Sequence, residues 1–327
     1  MKLYKEHTYW KKYLPFLPKK YQDNYVEPEE LFWNWETTKV HYDFKYSESN
    51  SVNVILLHGA GGNGRILSLL GNTLFENGIN YFAPDNLGYG LTQINKKDFD
   101  YNDWVNMIND FTNFILEKHK KPVVLFGMSV GGMLAYQVAA KNKKVRGLIA
   151  TTLIDPRNEE TMIHISKNKF LGKYGLKLIK SFASILDSLR LPVKWVCKID
   201  LMSRNPTLSK IFIKDKLSGG TKLSMKFLRT FSDYKPEVSF NEFDLCPILL
   251  VHPEKDDWTP FNLSERIFNQ LKAEKEAYLL SECGHAPIEE PGIFEMEKHI
   301  VEFINKKIIP VANKIGFKKQ LSPKYRQ

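Results

Sequence analysis

The chain has 327 residues, a net charge of +10, three cysteines and eight histidines. That length allows one large or two small domains with a sizeable core, and the composition is ordinary for a soluble globular protein. No apolar run nears the roughly 18 residues of a membrane span, and the charged, aromatic start MKLYKEHTYWKKYLPF lacks the apolar stretch of a signal peptide. Cys197, Cys246 and Cys283 show no C-x-x-C spacing, and the histidines show no H-x-x-x-H or H-E-x-x-H pattern. A cytoplasmic protein with no metal site and no disulfide framework is therefore expected.

In chain order, TKVHYDFKY (38–46) reads as an early strand, and NVILLH (53–58) as a buried one. The second runs into VILLHGAGGNGR (54–65), where Gly59, Gly61 and Gly64 fall at G-x-G-x-x-G spacing ahead of a helical segment. Strand, glycine turn and helix N-terminus could cradle a dinucleotide diphosphate, with Asp85 at the end of NYFAPD as the ribose-binding acid. The remaining strands are NYFAP (80–84), PVVLFG (122–127), RGLIATT (146–152), PILLVH (247–252) and EAYLLS (276–281). Their continuous apolar character suits strands covered on both faces. Between them ILSLLGNTLFENG, YNDWVNMINDFTNFILEKHK and GGMLAYQVAAKNKK have helical spacing. The alternation predicts an α/β fold, a mainly parallel central sheet flanked by helices.

The rhythm breaks over 153–240, which reads as several helices with no clear strand. The simplest organisation is a core of 1–152 and 241–327 with a helical cap, or lid, of 153–240 inserted between two strands. The basicity belongs here: His164–Arg229 holds 15 Lys and Arg against Asp187, Asp200 and Asp215, with no Glu. No arginine-rich stretch or nucleic-acid motif accompanies it, so no nucleic-acid partner is expected. In LGKYGLKLIKSFASILDSLRL, Leu178, Phe182, Ile185, Leu186 and Leu189 share one helical face, and Lys173, Lys177 and Lys180 fall together. Such a helix either packs its apolar face over the site and wets its lysines, or lies on an anionic membrane surface. The chain closes with the helical IFEMEKHIVEFINKKI and a basic, loosely held tail from Pro310.

Chemistry concentrates at three strand ends. GMSVGG (127–132) is a G-x-S-x-G between the strand PVVLF and the helical MLAYQVAA, the context in which a serine is exposed on a strained turn. A serine at neutral pH needs a base, and the base an orienting acid. LLVHPEKDDWTP puts Asp256 and Asp257 past one strand end, and LLSECGHAPIEEP puts His285 past the next. Ser129, an aspartate and His285 thus reach the carboxyl edge of one sheet, where open α/β folds place their sites. Cys283 reads as a buried small hydrophobe or a redox handle, and Trp258 as packing or an acyl-pocket wall.

On HGAGG (58–62), DNLGYGLT (85–92), GMSVGG (127–132), HPEKDDWTP (252–260) and GHAPIEEP (284–291), the chain resembles the α/β-hydrolase superfamily over most of 38–308. The resemblance is to capped members such as esterases and monoglyceride-type lipases. It implies oxyanion donors at the backbone N–H groups of Ala60 and Val130. It selects Asp256, four residues before Pro260, as the triad acid, although Pro253 replaces the usual glycine of that loop. Asp155 in LIDPR is the fallback used by some relatives. The G-x-G-x-x-G spacing then becomes coincidental, because the glycines serve an oxyanion turn. The implied function is a serine esterase acting on a small-molecule or lipid ester, without cofactor. Thioesterase, amidase and carbon–carbon bond hydrolase share the same triad, and a non-catalytic binding module is the rival of another class.

Overall fold

The strands follow the apolar runs closely. In chain order they are β1 (Glu29–Trp35), β2 (Thr38–Lys45), β3 (Val52–Leu57), β4 (Ile79–Pro84), β5 (Val123–Gly127), β6 (Val145–Ala150), β7 (Arg190–Pro192), β8 (Lys222–Ser224), β9 (Ile248–Pro253) and β10 (Lys275–Leu280). The computed structural model describes residues 3–92 and 99–315. Eight of these strands form one sheet in the order β1-β2-β4-β3-β5-β6-β9-β10. From β4 to β10 every pairing is parallel, while β2 runs antiparallel to both β1 and β4. This is the mainly parallel, helix-flanked sheet expected from the alternation.

Central strands β3, β4, β5 and β9 are buried at every position, in keeping with their mainly apolar content, and the buried Asn80 Nδ2 donates to Asn53 Oδ1 at 3.0 Å. Helix Tyr101–His119 turns Trp104, Met107, Ile108, Phe111 and Ile115 fully inward. Its start is fixed by a capping box in which the Asp100 carboxylate accepts from the Asn102 and Asp103 N–H groups. Strand β10 departs from the two-sided burial expected of EAYLLS. It is the sheet edge, and Tyr278 and Leu279 lie exposed.

Two further features were not foreseen. Strand β1, EELFWNW, lies on the opposite edge, mostly exposed or half-buried until Trp35, which is buried. Ahead of it, short 3₁₀ turns from Tyr4 to Phe16 fold back on the core. They are tied there by Arg65, which is fully buried. Its Nε and Nη2 donate to the Asp43 carboxylate at 2.5 and 3.0 Å, and its guanidinium lies 4.8 Å from the Tyr4 ring and 4.9 Å from the Trp10 ring. A guanidinium held this way by a carboxylate and two π-faces fixes the N-terminal segment to the helix Gly64–Glu76.

Between β6 and β9 the chain contains helices Glu159–Ile165, Leu176–Ser181, Pro206–Lys214 and Met225–Asp233. The expectation of no strand here is corrected: β7 and β8 pair antiparallel over three residues each. The single long basic helix is also corrected. A π-helical turn, Leu171–Gly175, precedes Leu176–Ser181, and Phe182 (φ −118°, ψ 29°) breaks the chain before Ala183–Leu186. Phe170, Leu178, Phe182, Ile185, Leu189 and Trp195 all face outward, Ile185 at 72% exposure. The apolar face is therefore not packed over the site. At the C-terminus the helix Gly292–Phe303 continues through a π-helical turn into Ile309–Ile315, so Pro310 lies within helix. The rest of the basic tail lies outside the described residues.

Candidate active site

Strand β5 ends at Gly127 and the next helix begins at Val130, leaving Ser129 on the turn between them. Ser129 has φ 58° and ψ −130°, a left-handed backbone that non-glycine residues rarely adopt. The crowding around it explains the glycines. A Cβ on Gly127 would lie 2.0 Å from the Gly131 carbonyl oxygen, and one on Gly131 would lie 2.1 Å from the Leu57 oxygen. The Ser129 N–H donates to Thr151 Oγ1 at 3.1 Å, a support from the end of β6.

The three strand-end residues meet. His285 Nε2 lies 2.8 Å from Ser129 Oγ, and His285 Nδ1 lies 2.8 Å from Asp256 Oδ2. An ionised carboxylate only accepts, so Nδ1 carries the proton and Nε2 accepts from the serine hydroxyl. Asp256 Oδ1 accepts the backbone N–H groups of Trp258 and Thr259 at 2.9 and 2.8 Å, and Oδ2 accepts the Thr259 hydroxyl at 2.7 Å. Burial opposes ionisation of Asp256, but the neighbouring His285 and the donors from Thr259 overcome it and hold the carboxyl below its ordinary value of 3.8. Its neighbour Asp257 is exposed. Asp155 is turned to Arg157, whose Nε and Nη2 donate to it at 2.8 and 2.9 Å.

The turn after β3 comes close to the serine. A Cβ on Gly59 would sit 3.0 Å from the Met128 oxygen, Ser129 Cβ and the Val130 nitrogen. Neither Ala60 nor Val130 donates its N–H to the backbone among the described residues. His58 is fixed as a neutral ring: burial lowers its pKa, Nδ1 donates to the Gly59 carbonyl at 2.8 Å, and Nε2 accepts the Asn86 N–H at 2.9 Å. The dinucleotide reading fails on the same loop. The Gly64 N–H that a phosphate would need is given to Asp85 Oδ1 at 2.6 Å, and Asp85 Oδ2 accepts the Leu91 N–H at 2.8 Å.

Ser129 stands between two chambers. One, of about 820 Å³, is lined by residues that include Tyr13, Leu17, Ala60, Leu67, Phe212 and His285. The other, of about 600 Å³, is lined by residues that include Ala60, Val130, Ile154, Met162, Leu223 and Phe227. Trp258 lines both, with its ring centroid 4.6 Å from that of His285 and its Nε1 donating to the Ile165 carbonyl. Cys283 is fully buried, its thiol pushed up to about 12 by burial, which suits the small-hydrophobe reading.

Sequence reasoning missed Thr151, Thr259 and Asn86, which hold the serine turn, the acid and His58. Only Thr259 had a signal, standing between the aspartates and Pro260 in DDWTP. Among the described residues Glu30, His41 and Asp43 also come close enough to ligate an ion. Arg65 occupies that position electrostatically, with Nε on Asp43 and Nη2 3.3 Å from Glu30.

The family described as serine aminopeptidase, S33, matches residues 48–292. No curated protein sequence matches the chain. Among solved structures, a soluble variant of monoglyceride lipase from Saccharomyces cerevisiae aligns at 18% identity and TM-score 0.71, covering 89% of this chain and 98% of its own. The monoacylglycerol lipase of Paleococcus ferrophilus aligns at 22% identity and TM-score 0.62, covering 85% and 98%. A carboxyl esterase from Bacillus coagulans aligns at 17% identity and TM-score 0.62, covering 87% and 100%. These likenesses establish the shared fold.

Proposed function

Because the chain belongs to the serine aminopeptidase S33 family of α/β hydrolases, we propose that it is a serine hydrolase cleaving a carboxylic ester through an acyl-enzyme. The observation that carries this is the relay from Ser129 Oγ through His285 to Asp256, with 2.8 Å at each step. Ser129 attacks the ester carbonyl and His285 Nε2 takes its proton. Asp256 holds the ring and stabilises its charged form. The Ala60 and Val130 N–H groups receive the oxyanion, a role worth roughly 3–4 kcal/mol per donor. The tetrahedral intermediate collapses as His285 gives the proton to the departing alcohol. Water, activated by the same nitrogen, then releases the acid.

Ester rather than peptide chemistry is favoured by the chamber walls. An aminopeptidase must pair the free α-ammonium of its substrate, and no Asp or Glu lines either chamber among the described residues. The test is labelling by a fluorophosphonate probe together with hydrolysis of matched acyl esters, thioesters and aminoacyl amides. Labelling lost in Ser129→Ala, with esters turned over fastest, supports the reading. A folded wild type that neither labels nor turns over would make the fold a binding module, and faster amide cleavage would move the chain to peptidase chemistry.

We further propose that residues 153–240 form a cap whose outer face makes peripheral contact with anionic lipid. Phe170, Phe182, Ile185 and Trp195 stand exposed, with Lys169, Lys173, Lys177 and Lys194 interleaved in the same stretch. Apolar insertion together with about 1 kcal/mol per nearby basic residue suffices for reversible docking. Among the described residues no helix is long and apolar enough to cross a membrane. The free thiols of Cys197, Cys246 and Cys283 are consistent with a cytoplasmic site of action. Cosedimentation with phosphatidylserine vesicles at low salt, lost with neutral vesicles or at high salt, is the expected result. Indifference to both lipid charge and salt would remove the docking role.

A further inference from the structure

We infer that the substrate's alcohol half is itself a bulky apolar group, an aliphatic or alicyclic alcohol, held in the larger chamber against Tyr13 of the N-terminal segment. The inference rests on the serine-hydrolase reading and deepens it.

The leaving oxygen must come within hydrogen-bond reach of His285 Nε2, because that nitrogen protonates it. The alcohol therefore extends into the chamber that His285 lines, the one of about 820 Å³. The other chamber touches Ser129, Ala60 and Val130 but not His285, and is left for the acyl chain.

A polyol leaving group would need free polar side chains in the His285 chamber, and those present are already committed. Asn63 donates to Ser218 Oγ at 2.7 Å and accepts the Ile66 N–H at 2.9 Å. The Tyr13 hydroxyl donates to Asp215 Oδ2 at 2.8 Å, and both ring nitrogens of His58 are occupied. The rest of the wall includes Leu67, Leu70, Met202, Phe212 and Ile288. Buried hydroxyls facing such a surface are penalised, whereas methylenes are favoured.

One wall of this chamber comes from outside the family's matched region, which begins at residue 48. Tyr13 and Leu17 belong to the segment anchored by Arg65. The Tyr13 ring packs edge-on against Phe212 at 6.4 Å, and the Tyr9 hydroxyl donates to the Ile211 carbonyl at 2.9 Å, so the segment is seated on the helix Pro206–Lys214. Tyr13 is thus placed to set how large an alcohol fits.

The experiment compares hexanoyl esters of ethanol, butanol, octanol and cyclohexanol with monohexanoylglycerol. kcat/KM is expected to climb by about fourfold per methylene while the chain still fits, with the glycerol ester below the butyl ester. Tyr13→Ala should move the preferred alcohol to a larger size. Tyr13→Phe keeps the ring without the bond to Asp215, and should keep the wild-type size preference. A glycerol ester cleaved as fast as the octyl ester, or a size preference unmoved in folded Tyr13→Ala, overturns the inference. If no ester is cleaved, the hydrolase reading fails, and the chamber is judged by saturation-transfer NMR on Ser129→Ala. Octanol bound in preference to glycerol then upholds the apolar chamber; equal signals, or none from octanol, overturn it.

Discussion

His41 and His285 are both buried, at 0% and 4% exposure, and both lie beside carboxylates, yet their surroundings differ. His41 is enclosed on every side. Its Nε2 lies 3.0 Å from Glu30 and 3.7 Å from Asp43, and its Nδ1 lies 3.0 Å from Asp85. Burial opposes its charge, but these acids, Asp85 first, raise its pKa to about 9. His285 has one carboxylate, on Nδ1, and its other nitrogen meets a serine hydroxyl at a chamber wall. A ring bracketed by anions is a fixed cation that welds β1, β2 and the turn at Asp85 together. A ring with one anion and one exchangeable partner can take up and return a proton. Burial and a nearby carboxylate do not by themselves distinguish the two; the open second nitrogen does.

The sharpest way to break this contrast is to remove the single carboxylate of His285. Asp256→Asn should lower kcat by about 10⁴-fold, whereas Asp155→Asn and Asp257→Asn stay near wild type, as measured by kcat per titrated active site. Loss of activity in Asp155→Asn with Asp256→Asn intact would reassign the acid. Next in size is the turn at Ala60, proposed to receive the oxyanion. Ala60→Pro deletes one N–H and should cost about 10²–10³-fold in kcat, while circular dichroism shows an intact fold. Near-normal turnover would remove Ala60 from the site.

On the His41 side the effect should fall on stability. His41→Gln leaves buried acids without their cation and should cost about 3–5 kcal/mol in denaturant unfolding, with kcat unchanged where the variant is folded. A drop in kcat without loss of stability would refute the division of roles. The smallest effect is in pH. The folded value of about 9 exceeds the ordinary 6.5, so the stabilisation from His41 is fully present below about 6.5 and is lost as pH rises through about 9. Its slope is at most about 1.4 kcal/mol per pH unit. Asp256 has the opposite sign: its lowered pKa gives stability above its ordinary 3.8 that is lost on further acidification. Unfolding curves from neutral to alkaline pH should show the first slope in wild type and not in His41→Gln.

The sequence made the parallel sheet readable because β3, β4, β5, β6 and β9 are almost wholly apolar, and burial on both faces leaves no other pattern. Ser129 and Asp256 were readable because each follows such a strand, and His285 because it follows the apolar end of β10; the structure brings the three together. Strand β1 was not readable, since an edge strand mixing Glu, Asn and Trp has neither a continuous run nor a clean alternation. Nor were the N-terminal 3₁₀ turns, which carry no helical period. Arg65 gave no sign of being buried, because its partners Asp43, Tyr4 and Trp10 are remote in sequence. The basic stretch had the right amphipathic spacing, but spacing does not tell that Phe182 breaks the helix or that Leu178, Phe182, Ile185 and Leu189 stay exposed.

That outward face also has a bench-top consequence. A protein presenting Phe170, Phe182, Ile185 and Trp195 to water will spread on polystyrene and at air–water menisci. Dilute stocks should lose activity to tube walls in proportion to wetted area, and a trace of non-ionic detergent or carrier albumin should restore it. Replacing Phe170 and Ile185 with serine should abolish that loss and shorten retention on a phenyl column, leaving the intrinsic rate on a water-dissolved ester where it was.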